Sequence, residues 1–364
     1  MQKVLFIWYK RSGAVKEGGA LCSERNYAMV CKAVGAENVT SMYIHDDDKK
    51  RSIKTYAQAL WRMPKGYYFG LTKQKAQDIL VRAKEYDTVF IDRTVFGVLA
   101  RDLKKAGYTG RIVAHYHNIE KVYFDAKLPK WLPFRQVLLR CVQKNDQWSA
   151  QYADKVIALN ERDAEIIRQH YGRKVDLLVP IAMADQLTAS PTERMTNVPL
   201  KCLTIGSYFA ANNEGILWFV KNVLPRVKVE YTIVGKGMKK LKEDNSELLQ
   251  GIEVVSDAPS LAPYFEEADV MILPIFSGSG MKVKTCECLM YGKNIVATDE
   301  ALEGYHVEGD EIGGRCNSAE EFIQTLQAMT EHPRTRWNQY SREIFLKRYS
   351  LQAVEDLFTH ILND

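Results

Sequence analysis

Short runs of β-branched and other apolar residues alternate with amphipathic stretches along this chain, and the pattern runs twice. In the first half the strand-like runs are Val4–Trp8, Val39–Ile44, Thr88–Ile91, Arg111–His115 and Lys155–Leu159, each followed by a polar or glycine-bearing turn. Between them Glu24–Val34, Lys73–Lys84 and Asp163–His170 place apolar residues at helical spacing. The rhythm stops in Ala182–Pro199, which carries Pro191, Thr192, Thr196, Asn197 and Pro199. It restarts with strands at Leu200–Ile205, Val229–Val234, Ile252–Val255, Asp269–Leu273 and Ile295–Thr298. Asn212 or Asn213 is expected to cap the helix carrying Ile216, Leu217, Phe219 and Val220, and Ser260 a short helix running to Ala268. Strands alternating with helices predict an α/β chain of doubly wound parallel sheets. The interruption predicts domains at 1–181 and 200–340, a linker at 182–199 and tail helices over 341–364. A length of 364 residues suits two domains of about 150 residues each.

Composition removes other classes. With 46% hydrophobic and 26% charged residues the chain is not disordered. No apolar run approaches the ~18 residues of a membrane span, and the run at Val4–Trp8 is too short for a secretion signal. Seven cysteines without a C-x-x-C pair argue against a disulfide framework or a commonly spaced zinc site, and for a reducing, cytoplasmic setting. The net charge of +5 is uneven: residues 1–200 hold 33 Lys and Arg against 21 Asp and Glu, and the remainder 17 against 24. A basic front half fits an anionic membrane surface or a phosphate-bearing substrate, though such asymmetry also arises without a partner. Nucleic acid is disfavoured because the basic residues are dispersed and no RNA-binding signature occurs. No G-x-G-x-x-G follows a strand, which disfavours a dehydrogenase.

Ligands of open α/β sheets bind at the carboxyl ends of strands. The most informative such stretch is Pro274–Thr298: strand end, glycine loop, helix, Gly292, strand. Gly278 and Gly280 allow close backbone approach, and the helix start offers free N–H groups to a phosphate. Lys282 and Lys284 add positive charge, and Glu287, one turn inside, can accept a pair of ribose hydroxyls. A tight loop with a solvated lysine pair and an ordinary helix glutamate reads the same way. Asp46-Asp47-Asp48 runs directly into Lys49-Lys50-Arg51 and reads as a solvated loop rather than a metal motif.

The stretch Gly278-Ser279-Gly280-Met281-Lys282-Val283-Lys284, with Glu287 and Gly292, resembles the nucleotide-sugar site of glycosyltransferase family 4. Ala301-Leu302-Glu303-Gly304, Gly206, Gly235-Lys236-Gly237 and Ala268-Asp269-Val270 follow in family order. In the first half Lys16-Glu17-Gly18-Gly19, His117-Asn118-Ile119-Glu120 and Ala153-Asp154, with Asn160 for the usual Ser, are similar to shorter family patterns. The resemblance implies the GT-B fold, two Rossmann-like domains facing across a cleft, with the tail crossing back to the first. It implies a retaining, metal-independent hexosyltransferase with no cofactor, building a surface polysaccharide or glycoconjugate from a nucleotide-diphosphate sugar. Donor contacts are then expected from Gly18, Gly19, Gly206, Ser207, Gly235, Gly237, Gly278, Ser279, Gly280, Met281 and Glu287. Lys282 and Lys284 would stabilise the leaving diphosphate, and His117 would stand nearest the sugar. Ser279 departs from the family, many of whose members carry a glutamate eight positions before the one matched by Glu287. The acceptor is expected to be a saccharide or lipid-linked saccharide. The basic, aromatic stretches Lys127–Arg140 and Trp61–Phe69 would either lie on an anionic membrane, making the protein peripheral at its inner face, or form a core helix with a basic outer face and a loop. The other readings are a GT-B epimerase and a non-catalytic nucleotide-sugar-binding protein.

Overall fold

The computed structural model describes residues 2–11, 18–46, 53–187 and 194–363. The chain divides into two compact units, Met1–Met183 with Leu351–Asp364, and Ala184–Ser350.

The first unit carries six strands: β1 Val4–Arg11, β2 Val39–Asp46, β3 Thr88–Ile91, β4 Arg111–His115, β5 Lys155–Ala158 and β6 Leu177–Leu178. They form one parallel sheet in the order β2-β1-β3-β4-β5-β6. Successive side chains of a strand point to opposite faces, so an apolar run feeds two cores. Leu5 and Ile7 join Val89 and Ile91 in one, whereas Val4 and Phe6 join Phe90 and Val113 in the other. Phe6 stacks on Phe90 with ring centroids 5.0 Å apart. The helix Glu161–Tyr171 is opened by Asn160, whose Oδ1 accepts the Asp163 N–H at 2.8 Å, and closed by Gly172 at φ 67°. The second core is completed by the last helix, Leu351–Asn363, which buries Val354, Phe358, Ile361 and Leu362. Gln2 Nε2 donates to the Leu362 carbonyl at 3.0 Å.

The second unit repeats the plan with β7 Leu200–Ile205, β8 Val229–Gly235, β9 Glu253–Ser256, β10 Val270–Leu273, β11 Asn294–Ala297 and β12 Gly313–Arg315. The parallel order is β12-β11-β10-β7-β8-β9. Numbered within the unit and read from β9, this is 3-2-1-4-5-6, the order of dinucleotide-binding sheets. Part of the segment read as linker packs here. Thr196 N–H donates to the Arg334 carbonyl at 2.8 Å, and Asn197 Nδ2 donates to Asp269 at 3.0 Å. Residues 341–350 also belong to this unit, so the chain passes back to the first unit at Leu351.

Local expectations shift in places. The helix Ala210–Asn222 begins ahead of Asn212 and Asn213, with Phe209 at its N-cap and no side-chain cap bond. Ser260 Oγ does accept the Ala262 N–H, at 3.3 Å, where the helix Ala262–Glu267 starts. Six of the fourteen residues of the basic stretch 127–140 fall in the 18-residue helix Arg135–Tyr152, which runs well beyond that stretch.

Candidate functional site

The switch point of the second sheet lies between β7 and β10, where the chain leaves neighbouring strands in opposite directions. A small pocket opens there, lined by Thr204, Asn212, Ile216, Pro274, Ile275 and Lys284. Glycine permits its construction. A Cβ on Gly215 would overlap the Pro274 carbonyl, so only glycine lets this helix lie against the end of β10. Likewise, a Cβ on Gly235 would overlap the Gly206 carbonyl, which brings the ends of β7 and β8 together. Gly206 is buried and Ser207 exposed; Gly237, at φ 71°, caps the next helix and donates weakly to Asp257 at 3.4 Å.

Beyond β10 the chain turns through Gly280 at φ 63°, a left-handed conformation that glycine adopts without strain, and enters the helix Val283–Met290. Gly278 and Ser279 form the outer arm of the turn, and Met281 is buried beneath it. Lys282 Nζ donates to the Gly280 carbonyl at 2.9 Å and pairs with Glu300 Oε1 at 2.6 Å. Lys284 Nζ donates to Asn212 Oδ1 at 2.6 Å, and Asn212 Nδ2 donates to the Ser207 carbonyl at 2.9 Å. Asn212 therefore ties the second lysine to the turn after β7. Burial depresses the Lys284 ammonium to about 8, against opposing pulls from Cys288 and Glu287. Burial raises Glu287 to about 7, with Lys284 pulling the other way. The site thus has one cation neutralised by a carboxylate, one held by a neutral amide, and a carboxyl group that is easily protonated. A dianionic or trianionic group arriving at the helix start meets two lysines and free N–H groups, which stabilise charge on a departing phosphate oxygen.

Gly18, Gly19 and His117 belong to the first unit. Gly18 opens the helix Gly18–Val34, and a Cβ on Gly19 would overlap the end of the Arg93 side chain. Lys16, Glu17, Asp47 and Asp48 lie outside the described residues. His117 is buried, 3% exposed, just beyond β4. Its Nε2 is 3.2 Å from Asp92 Oδ1 and 3.4 Å from Asn26 Nδ2. Burial disfavours its charged form, but Cys22 and Asp92 outweigh this and raise it to about 9. Among the described residues, Cys22, His115 and His117 form the one cluster dense enough to hold a metal ion. Asn26, Asp92, Cys22, Asn212 and Glu300 were not singled out as site residues in the sequence. Cys22 and Asn26 share one helix, and the others come from separate segments with no fixed spacing.

Residues 199–332 match the family model described as glycosyl transferases group 1. No curated protein sequence matches the chain. Among solved structures, Anabaena Alr3699/HepE in complex with UDP-glucose aligns with a TM-score of 0.65 at 14% identity, covering 100% of this chain and 99% of that one. The lipopolysaccharide outer core galactosyltransferase WaaB in its apo form gives 0.65 at 14%, covering 99% and 98%. A glycosyltransferase from Rickettsia africae gives 0.64 at 14%, covering 100% and 99%. At this identity the structural likeness establishes the fold, GT-B. The match over 199–332 makes the second unit a group 1 glycosyltransferase domain, and the chain is a glycosyltransferase.

Proposed function

We propose that this glycosyltransferase takes a hexose from a nucleoside-diphosphate donor seated at the β7/β10 switch point and passes it to a saccharide or lipid-linked saccharide, with retention at the anomeric carbon and without a metal on the diphosphate. The observation that carries the reading is the pairing of Lys282 and Lys284 at a glycine turn and helix start, with Glu287 one turn in. In this reading the lysines and the turn's N–H groups receive the diphosphate, and Glu287 takes the ribose hydroxyls. The departing phosphate oxygen collects the acceptor proton, so no protein base is needed. Lys282 must leave Glu300 to reach the phosphate, and the freed Glu300 carboxylate then stands next to Gly278, where it can accept hydroxyls of the donor sugar. Several neighbours were solved with UDP or a UDP-sugar, which makes UDP-hexoses the first donors to try.

Two exposed patches support an acceptor at a membrane surface. Trp61, Trp131 and Phe134 are 73%, 80% and 61% exposed, in segments that also carry Lys65, Lys127 and Lys130. The first segment packs on the helix that follows the second: Lys144 Nζ and Asn145 Nδ2, on the helix Arg135–Tyr152, donate to the carbonyls of Pro64 and Gly66 at 3.0 and 2.9 Å. Exposed aromatics beside lysines suit the interface of an anionic bilayer. No helix among the described residues is long and apolar enough to cross a membrane.

The test is a panel of UDP-, GDP- and ADP-hexoses, read for sugar transfer or slow donor hydrolysis, with and without added Mg²⁺. One nucleotide should support turnover without added metal, and Glu287→Ala should lose it. Isomerisation of the donor without an acceptor would favour an epimerase, and binding without turnover a non-catalytic protein. Flotation with anionic vesicles should be lost in a Trp131→Ala, Phe134→Ala double variant; wild-type protein that stays behind at low salt would end the membrane reading.

A further inference from the structure

The first unit contains a second polar cluster, apart from the glycine turn and lysines of the second unit. Cys22 and Asn26 are one turn apart on the helix Gly18–Val34 and face the carboxyl ends of the strands. Asp92 follows β3, His115 closes β4 and His117 stands two residues on. All are buried: Cys22 and His117 at 3%, Asn26, Asp92 and His115 at 0% exposure. One ligand atom each from Cys22, His115 and His117 lies within 4.8 Å of the others. His115 Nε2 has no hydrogen-bond partner, a costly state for a buried polar atom, while His117 is hydrogen-bonded to both Asp92 and the Cys22 side chain.

We propose that Cys22, His115 and His117 bind a thiophilic divalent transition-metal ion, zinc being the reference case, with Asp92 orienting His117 from behind. The surroundings match what such an ion needs. Nε2 of His117 faces the Asp92 carboxylate at 3.2 Å, a partner that keeps a proton on Nε2 and leaves Nδ1 to exchange its own proton for the ion. Ser23 Oγ donates to the other oxygen of Asp92 and fixes that carboxylate. Arg25 Nη2 donates to Cys22 Sγ at 3.2 Å, a contact that favours the thiolate, and Arg25 Nη1 is anchored on the Pro180 carbonyl at 2.6 Å. Asn26 Nδ2 donates to Asp92 Oδ1 at 2.7 Å and lies 3.3 Å from His115 Nδ1. Zinc–sulfur and zinc–nitrogen bonds of about 2.3 and 2.0 Å put one sulfur and two nitrogens about 3.3–3.5 Å apart, so binding draws the cluster in by up to about 1 Å. Three protein ligands leave one coordination position for solvent. The ion gives His117 an employment other than the sugar contact expected from the resemblance. It also pins the helix Gly18–Val34 to the strand ends. It is independent of the donor reading, since no cluster residue belongs to the second unit.

The test uses the full chain purified without chelator and assayed for metals by plasma mass spectrometry. About one zinc per chain is expected, falling below about a tenth in Cys22→Ser and in His115→Gln. Cys31→Ser, whose thiol is outside the cluster, should keep its zinc. Cobalt added to chelator-stripped protein should give a near-ultraviolet thiolate-to-cobalt band in wild type that Cys22→Ser lacks. If Cys22→Ser does not fold, His115→Gln and the wild-type cobalt titration decide. Folded wild-type protein with neither stoichiometric metal nor a cobalt band overturns the proposal, as does zinc retained in both variants.

Discussion

Lys284 carries its charge against a neutral partner, the Asn212 carboxamide, inside a site that burial has already made hostile to cations. Its proton is held loosely, at about 8 against 10.5 for a free lysine. A bound diphosphate restores it, so diphosphate affinity should fall as pH rises above 8, by up to about tenfold per unit. Titration calorimetry between pH 7 and 9.5 checks this, and Lys284→Arg, which stays protonated, should flatten the slope. Glu287 has the opposite sign. Its folded value of about 7 lies above the ordinary 4.5, so it binds its proton more tightly in the folded chain. Its contribution to stability is present below pH 4.5 and lost as pH rises towards 7. Glu287→Gln should therefore raise the thermal midpoint at pH 8 relative to wild type and not at pH 4.5. Glu300 competes with any phosphate for Lys282. Glu300→Gln should bind UDP about threefold to tenfold more tightly, and weaker binding would mean that the carboxylate supports the loop instead. The glycine turn, both lysines and Glu287 were legible because they lie within ten residues of one another. Asn212 reads as a helix cap in the sequence, and its bond to Lys284 spans 72 positions that no local pattern reports.

At the scale of elements, strands were legible and several helices were not. The strands are buried on both faces and read as continuous apolar runs, as β3 and β10 do with every residue buried. The helix Arg135–Tyr152 hides because its buried face includes Asn145, Asp146 and Ser149. Asn145 is structural: its Oδ1 accepts the Val98 N–H at 2.7 Å at the start of the helix Gly97–Lys105, and its Nδ2 donates to the Gly66 carbonyl. Asn145→Leu leaves both backbone groups unsatisfied and should cost about 1–3 kcal/mol, read by urea denaturation. Strand β6, two residues long, is too short for any periodicity to show. Gly215 is legible only as a helix-weakening residue, whereas the structure requires it for the approach to Pro274. Gly215→Val should lower the thermal midpoint and weaken UDP binding together, because the helix it displaces carries Asn212.

Across the whole molecule, two sheets of different strand order are built from consecutive halves of the chain, and the C-terminal helix belongs with the first half. The repeated rhythm and the break near residue 183 are written in local composition; where the last helix docks is not. It depends on Phe358 meeting Phe6 and Phe90 in one core, a long-range match that apolar spacing alone does not address. Phe358→Ala should cost the first unit about 3–5 kcal/mol, seen as a lower-temperature calorimetric transition with UDP binding by the second unit retained. The most direct measurement on the donor site is calorimetric titration of UDP and a UDP-hexose into wild-type protein and Lys284→Ala at pH 7 without added Mg²⁺. The account predicts saturable binding to wild type and at least about a tenfold loss in the variant. Folded wild-type protein that binds neither ligand, or a variant that binds as tightly as wild type, would contradict it.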